Sequence, residues 1–269
     1  MLKLSDIDAP VVTAGAMLCF CLGCDKAFLY SHEDYLLKEA ERDSYFDAIK
    51  RRIAGEPLQY ITGSQEFMSF DFLVSSDVLI PRHDTEILVE AVIQAVKDKE
   101  SITILDIGTG SGCIAISLAH FIKSSSVTAV DISKGALEVA RKNAGRCGVE
   151  DRITFIESDL FSNISMSEFD IIVSNPPYIP DEDIETLESQ VKDFEPRSAL
   201  DGGKDGLDFY RRITKDSVPF LKRNGLLAFE VGFNQSQDVV EIMKDSFKEI
   251  KIEKDLAGIE RVVMGTLSR

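Results

Sequence analysis

Cross-links and metal clusters have little to build on in this chain. Its 269 residues include five cysteines and three histidines, too few and too scattered for the disulfide framework of a small secreted domain. Cys19, Cys21 and Cys24 do cluster, but between Leu18, Phe20 and Leu22 they read as part of a buried helix in which a thiol packs as a small hydrophobe. His32, His83 and His120 lack the spacing of a metal triad, so no metal is expected. There is no apolar run long enough to cross a bilayer, and Met1-Leu2-Lys3-Leu4-Ser5-Asp6 lacks the pattern of a secretory leader. The expectation is a cytoplasmic protein with no membrane association. Base is scarce relative to acid: 30 Lys and Arg against 46 Asp and Glu leave a net charge of -16. Such a surface repels phosphate backbones, which disfavours nucleic acid as a partner. Internal repeats and low-complexity tracts are absent as well.

What the chain does have is Asp170-Ile171-Ile172-Val173-Ser174-Asn175-Pro176-Pro177-Tyr178. A β-branched run bounded by turn formers predicts a short strand covered on both faces. Asn175 then marks the strand end, and two prolines stiffen the turn while removing N–H donors. At the carboxyl end of a parallel strand, where open α/β sheets bind ligands, this corner offers the Asn175 side-chain oxygen, the Pro176 carbonyl and the flat Tyr178 ring. Two acceptors and a stacking face suit a planar group that carries an NH2. Such a nitrogen is a poor nucleophile because its lone pair is delocalised. Acceptors gripping both N–H bonds favour a pyramidal nitrogen aimed at an electrophile, which is positioning and electrostatics without a strong base.

Upstream, residues from about Val11 to Ala54 predict a small helical bundle, ended by Gly55 and Pro57. Phe67 to Ile80 alternate as in a β-hairpin. A helix over Ile87 to Lys97, with Asp84 or Thr85 as N-cap, follows. From Ser101 strands and helices alternate as in a doubly wound α/β sheet. The predicted strands are Ile102–Leu105, Val127–Val130, Ile153–Ile156 with Ser158–Phe161, Asp170–Ser174, Gly225–Val231, Ile250–Glu253 and Arg261–Gly265, completing a seven-stranded sheet. Helices are predicted through Ile122, over Lys134–Ala144, over Leu207–Leu221 and over Gln235–Ser246. The acidic excursion from Asp181 to Glu188 reads as a lid or substrate-facing segment.

The first strand runs into Asp106-Ile107-Gly108-Thr109-Gly110-Ser111-Gly112. A dinucleotide fingerprint would place its third glycine one residue later, where Cys113 stands. The spacing resembles instead motif I of class I S-adenosylmethionine-dependent methyltransferases, with Gly108, Thr109, Gly110, Ser111 and Gly112 against the donor. Asp131, at the tip of the second strand, is placed to bind a ribose. Asp159 or a neighbouring backbone group is placed for the exocyclic amine of an adenine, and Leu160 for its ring face.

With these motifs in place, the chain resembles the HemK/PrmC family of protein-glutamine N5-methyltransferases over essentially its whole length. The anchors are Gly55-Glu56-Pro57-Leu58-Gln59-Tyr60-Ile61-Thr62-Gly63, Leu79-Ile80-Pro81-Arg82, Asp106 to Gly112, Asn175 to Tyr178, Glu195-Pro196-Arg197 and Gly202-Gly203-Lys204-Asp205-Gly206. Three positions depart from the family pattern: His83 and Asp84 stand where many relatives have Pro and Glu, and Leu160 where an aromatic is common.

The resemblance implies a class I methyltransferase of α/β class, Rossmann-like, in three parts. These are a helical substrate-docking domain at 1–63, a β-hairpin linker at 64–82 and an S-adenosylmethionine-dependent methyltransferase domain at 83–269. It implies S-adenosylmethionine as methyl donor, held by Gly108 to Gly112, Asp131, Leu160 and Asn175. It also implies the glutamine of the Gly-Gly-Gln motif of peptide chain release factors as acceptor, held by Asn175, Pro176, Pro177 and Tyr178. Asn175, Pro176 and Tyr178 are the candidate catalytic residues. Methylation of adenine N6 in DNA or of an RNA base, which presents the same NH2, and a non-catalytic S-adenosylmethionine-binding role are the alternatives.

Overall fold

Gly23 interrupts what composition reads as one long helical stretch. In the computed structural model, which describes residues 1–268 apart from 3–6, 8, 98, 166 and 167, helix α1 (Pro10–Leu22) stops at this glycine. Gly23 adopts φ 62° and donates its N–H to the Cys19 and Phe20 carbonyls, the left-handed stop that glycine adopts at least cost. Asp25 then caps α2 (Lys26–Ser31) by accepting from the Phe28 N–H at 2.8 Å. Residues 32–38 are not helical, and α3 (Glu39–Ile53) and α4 (Leu58–Thr62) complete the bundle. Its core is Leu2, Met17, Ala48, Ile49 and Ile61. Cys19, Cys21 and Cys24 are half-buried, not buried as expected.

The Gly55-Glu56-Pro57 motif has a local explanation. Gly55 sits at φ 97°, and Glu56 takes the Arg51 guanidinium with both oxygens, at 2.7 and 2.5 Å. The chain returns to this unit far downstream, so Met1–Ser64 and Glu188–Phe194 form one compact body and Gln65–Leu187 with Glu195–Arg269 another. In the first body Arg52 donates to Gln190 Oε1 at 3.2 Å.

The strands β1 (Ser64–Phe67) and β2 (Phe70–Leu73) form a hairpin. Its turn residues Met68 and Ser69 both have positive φ, 50° and 65°, as a two-residue hairpin turn demands. The hairpin is tighter than the expected Phe67 to Ile80, because the segment after Leu73 leaves the strand conformation. Helix α5 (Asp84–Val96) has His83 at its N-cap, so Asp84 and Thr85 fall in its first turn instead.

The chain then runs β3 (Thr103–Ile107), α6 (Cys113–Phe121), β4 (Ser126–Asp131), α7 (Lys134–Arg146), β5 (Ile153–Glu157) and β6 (Phe169–Ser174). After α8 (Ser189–Lys192), part of the first body, come α9 (Asp208–Ser217), β7 (Leu221–Glu230), α10 (Ser236–Met243), β8 (Phe247–Lys254) and β9 (Glu260–Leu267). Residues 158–161 are a turn, not the strand extension expected there.

Among the described residues the large sheet has seven strands in the order β5-β4-β3-β6-β7-β9-β8. The pairs from β5 to β7 are parallel, and β9 is antiparallel to both its neighbours. The strand order reverses between β3 and β6, the place where a doubly wound sheet opens a crevice at its carboxyl edge. Ile107 pairs with Val130 on one side and Ser174 on the other, so the glycine loop, Asp131 and Asn175 all emerge at one level.

Strand alternation sends successive residues to opposite faces. Ile104, Val127, Ala129, Ile171 and Val173 pack under α5 and α6 with Phe67 and Phe72 of the hairpin. Leu105, Ile107, Val130 and Ile172 pack under α9 and α10 with Tyr210 and Phe229. Both faces are covered, which is why the central strands are continuous apolar runs.

Candidate active site at the sheet switch point

A cavity of about 380 Å³ opens over the carboxyl ends of β3, β4 and β6. The glycine loop lines it through Gly108, Thr109, Gly110 and Ser111, and Asp131, Asp159, Leu160, Asn175, Pro176 and Pro177 join them. Gly112 and Tyr178 are not among its wall residues.

Several of these wall residues are held by an identifiable device. Gly108 and Gly110 take φ 71° and 55°, and a Cβ on either would meet nothing within 4 Å, so their bare backbone leaves room for a ligand that side chains would fill. Gly112 serves packing instead. A Cβ there would lie 2.9 Å from Ile116 Cδ1 and 3.1 Å from Ala140 Cβ, so its hydrogen lets α6 pack against α7. Thr109 turns its hydroxyl inward to donate to Asp106 Oδ2 at 2.7 Å. Burial pushes the Asp106 carboxyl up to about 7, against the pull of that hydrogen bond.

Asp131 is fixed by two backbone donors, the Gly110 N–H to Oδ2 and the Ser133 N–H to Oδ1, each at 2.9 Å. Every carboxylate oxygen keeps a second lone pair, so Asp131 can still accept from a pair of hydroxyls. Burial raises its proton affinity, and the backbone donors lower it. Asp159 is half-exposed and paired with Arg212 at 2.9 Å. Leu160 is buried and sits at φ 50°. Ser158 holds that left-handed turn, donating to the Leu160 carbonyl at 2.8 Å while accepting from the Asn163 N–H at 3.0 Å.

The corner after β6 is anchored from both sides. Ser174 donates to the Ile107 carbonyl at 2.7 Å, tying the end of β6 to the end of β3. The Asn175 amide donates to Thr85 Oγ1 at 3.3 Å. The Asn175 side-chain oxygen and the Pro176 carbonyl accept no hydrogen bond from the described residues. Tyr178 packs against the α9 and α10 side of the core, and its carbonyl accepts from Gln235 Nε2 at 2.9 Å. Three glycines close around it: a Cβ on Gly202 would lie 2.7 Å from Tyr178 Cα, one on Gly206 would lie 2.3 Å from its carbonyl oxygen, and one on Gly232 would lie 2.9 Å from Cδ2. The Gly202-Gly203-Lys204-Asp205-Gly206 motif therefore serves Tyr178 through close approach. Ile179 and Asp201 form a β-bridge beside it, and Ile184, within the acidic excursion, is buried.

Several residues that shape the site carry no role in the sequence reading. Glu195 is buried, accepting from the Ile80 N–H at 3.2 Å and from Arg82 at 2.5 Å, which fixes the 78–82 segment along the cavity. Asn143 bonds the Leu73 N–H and carbonyl, at 2.7 and 3.0 Å, and the Ser111 carbonyl at 2.9 Å. Glu230 ends β7 beside the corner, and burial pushes it up to about 7. A polar residue closing an apolar strand was the available signal, as it is for Asp131.

Comparison with known proteins bears on the family and the fold. Residues 1–63 match the PrmC N-terminal domain and residues 83–192 the methyltransferase small domain. The chain is 44% identical to the release factor glutamine methyltransferase of Koribacter versatilis, over 98% of this chain and 94% of that one. It belongs to the release factor glutamine methyltransferase family. The family's enzyme from Geobacter sulfurreducens is 43% identical over 93% of this chain and 87% of its own. A methyltransferase structure from Pyrococcus furiosus, 17% identical, covers 82% of this chain and 98% of its own at TM-score 0.56, a likeness of fold. Family membership and fold thus agree with the Rossmann-like seven-stranded architecture expected from the sequence. Among the described residues no helix is long and apolar enough to cross a membrane.

Proposed function

We propose that this protein transfers a methyl group from S-adenosylmethionine to the side-chain amide nitrogen of the glutamine in the Gly-Gly-Gln motif of peptide chain release factors. The observation that carries the reading is the pair of unengaged acceptors at the corner, the Asn175 side-chain oxygen and the Pro176 carbonyl, on the wall of the cavity that the glycine loop and Asp131 also line. The residues present fit the donor. Gly108 and Gly110 leave bare backbone, Asp131 offers lone pairs to a ribose, and Leu160 offers an apolar face to an adenine. S-adenosylmethionine supplies an electrophilic methyl on a positively charged sulfur.

The chain's own residues prepare the acceptor nitrogen. Asn175 and Pro176 accept its two N–H bonds, which withdraws the lone pair from amide resonance and aims it into the cavity. Pro177 adds no donor that could compete for those acceptors. Tyr178, half-buried and approached closely by three glycines, stiffens the corner from behind the cavity wall. Burial pushes its hydroxyl further from ionisation, so Tyr178 acts as a neutral ring and not as a base. The amide nitrogen loses one proton to solvent once methylated. The helical body at 1–63 docks the release factor, a role supported by the large apolar side chains it exposes, Val11, Val12, Phe20, Leu36 and Phe46.

A labelled methyl donor offered with a release factor, duplex DNA and structured RNA tests the reading. Label on the release factor alone is expected. Label on either nucleic acid, with none on the release factor, would overturn it.

A further inference from the structure

An asparagine amide can be turned either way, and only one way serves the chemistry just described. If Asn175 presented its NH2 to the cavity, a donor would face the donor amide of the substrate, and the grip on the nitrogen would be lost. Something must hold the oxygen outward.

Glu230 is the group in place to do so. It ends β7, next to β6 in the sheet, and is 2% exposed. Ser174 pairs with Phe229 across the two strands, so Asn175 and Glu230 are the residues that follow side by side. Thr85 and Asn175 both pull the proton affinity of the Glu230 carboxyl down, and the Asn175 nitrogen donates to Thr85 Oγ1 at 3.3 Å. A carboxylate has no donor to offer. We propose that Glu230 is a positioning residue whose carboxylate, with the Thr85 hydroxyl, draws the NH2 of Asn175 inward and so presents the Asn175 oxygen to the substrate amide. The proposal rests on Asn175 being the gripping acceptor. It also accounts for selection of an amide over an acid, since two outward acceptors repel the carboxylate of a glutamate.

The arrangement is sensitive to protonation. Once protonated, Glu230 gains an O–H that can donate to the Asn175 oxygen, so the reversed amide becomes equally well bonded. Burial holds the carboxyl at about 7, with Asp84 of α5 raising it and Arg261 of β9 lowering it. Its charge is also felt by Tyr178 beyond β6, Tyr210 of α9 and Cys113 of α6, each of which it makes harder to ionise. One of the Glu230 oxygens, Oε2, has no hydrogen-bond partner among the described residues, so the carboxylate is held by fewer donors than it can accept.

Two readouts test the proposal. The first is the side-chain 15N–1H2 signal of Asn175, assigned by its loss in Asn175→Ala and followed between about pH 5.5 and 9. In the wild-type protein both amide protons are expected to titrate with a midpoint near that of Glu230, and in Glu230→Gln they should not shift. This measurement needs no substrate, so it decides the proposal even if the acceptor is not a release factor. The second is kinetic: Glu230→Gln should lower kcat roughly 10- to 100-fold and flatten its pH profile. KM, and the donor affinity measured by calorimetry, should stay within about twofold of wild type. A wild-type Asn175 signal that ignores pH overturns the proposal, as does a folded Glu230→Gln protein with wild-type kcat and pH profile. Should Glu230→Gln fail to fold, the wild-type titration alone decides.

Discussion

The role proposed for Asn175 uses both ends of one amide, a nitrogen that donates to Thr85 and an oxygen with no hydrogen-bond partner among the described residues. Asn175→Ala removes the outward acceptor without touching the glycine loop or Asp131. The expected result is loss of methyl transfer by at least about 100-fold, with donor binding still measurable by calorimetry. Turnover near wild type would mean the oxygen does no gripping.

Asp106 gives a second test at this scale, one of stability. Its carboxyl is fully buried and pushed up to about 7, chiefly by desolvation, whereas in an unfolded chain it loses its proton near pH 4. Between those values the folded protein holds a proton that the unfolded chain has released, so this group's contribution to stability declines as pH rises to about 7. Asp106→Asn removes that slope. Urea unfolding at pH 5 and pH 8 is expected to show the variant gaining on wild type by about 2 kcal/mol or more across the interval. Equal slopes for the two proteins would refute the assignment.

At the scale of elements, the strands were legible because buried parallel strands are written as unbroken β-branched runs, and Ile171-Ile172-Val173 leaves little choice. Asn175, Pro176 and Pro177 were legible for the same reason, since a strand that ends on prolines must turn there. The bundle boundaries were less so: Gly23 in left-handed conformation splits the helical stretch, and helical spacing alone does not register one glycine. The separate roles of the glycines were hidden as well. Gly112 spaces α6 from α7, and Gly202, Gly206 and Gly232 close on Tyr178, all long-range approaches that a local motif does not display. The roles of Glu195, Asn143 and Glu230 escaped because their partners lie tens of residues away in sequence.

These packing roles are testable. Gly112→Ala combines positive φ with a 2.9 Å approach to Ile116 and should cost about 1–3 kcal/mol in chemical denaturation. Asn143→Ala leaves the Leu73 backbone and the Ser111 carbonyl without their partner. It should lower stability by roughly 2–4 kcal/mol and weaken donor affinity, because the glycine loop loses the tie to its neighbour.

Across the whole molecule, a net charge of -16 and a neutral, acceptor-lined corner argue in the same direction. Both favour an acceptor carried on a protein over one carried on a polyanion, since a nucleic acid would need a basic track to offset its phosphates. If the helical body docks the substrate as proposed, binding and turnover should be separable in the kinetics. Leu36, 87% exposed, and Phe46 lie on the helical body, and replacing both by Glu should raise KM for the release factor by roughly fivefold or more. kcat at saturation should stay unchanged, because the corner is untouched.

The most direct measurement of the central claim is the mass of release-factor peptides after incubation with the protein and S-adenosylmethionine. One added methyl on the glutamine side-chain nitrogen of Gly-Gly-Gln is the predicted result. A methyl on any other residue, or a release factor left unmodified while the donor is consumed on DNA or RNA, would contradict it.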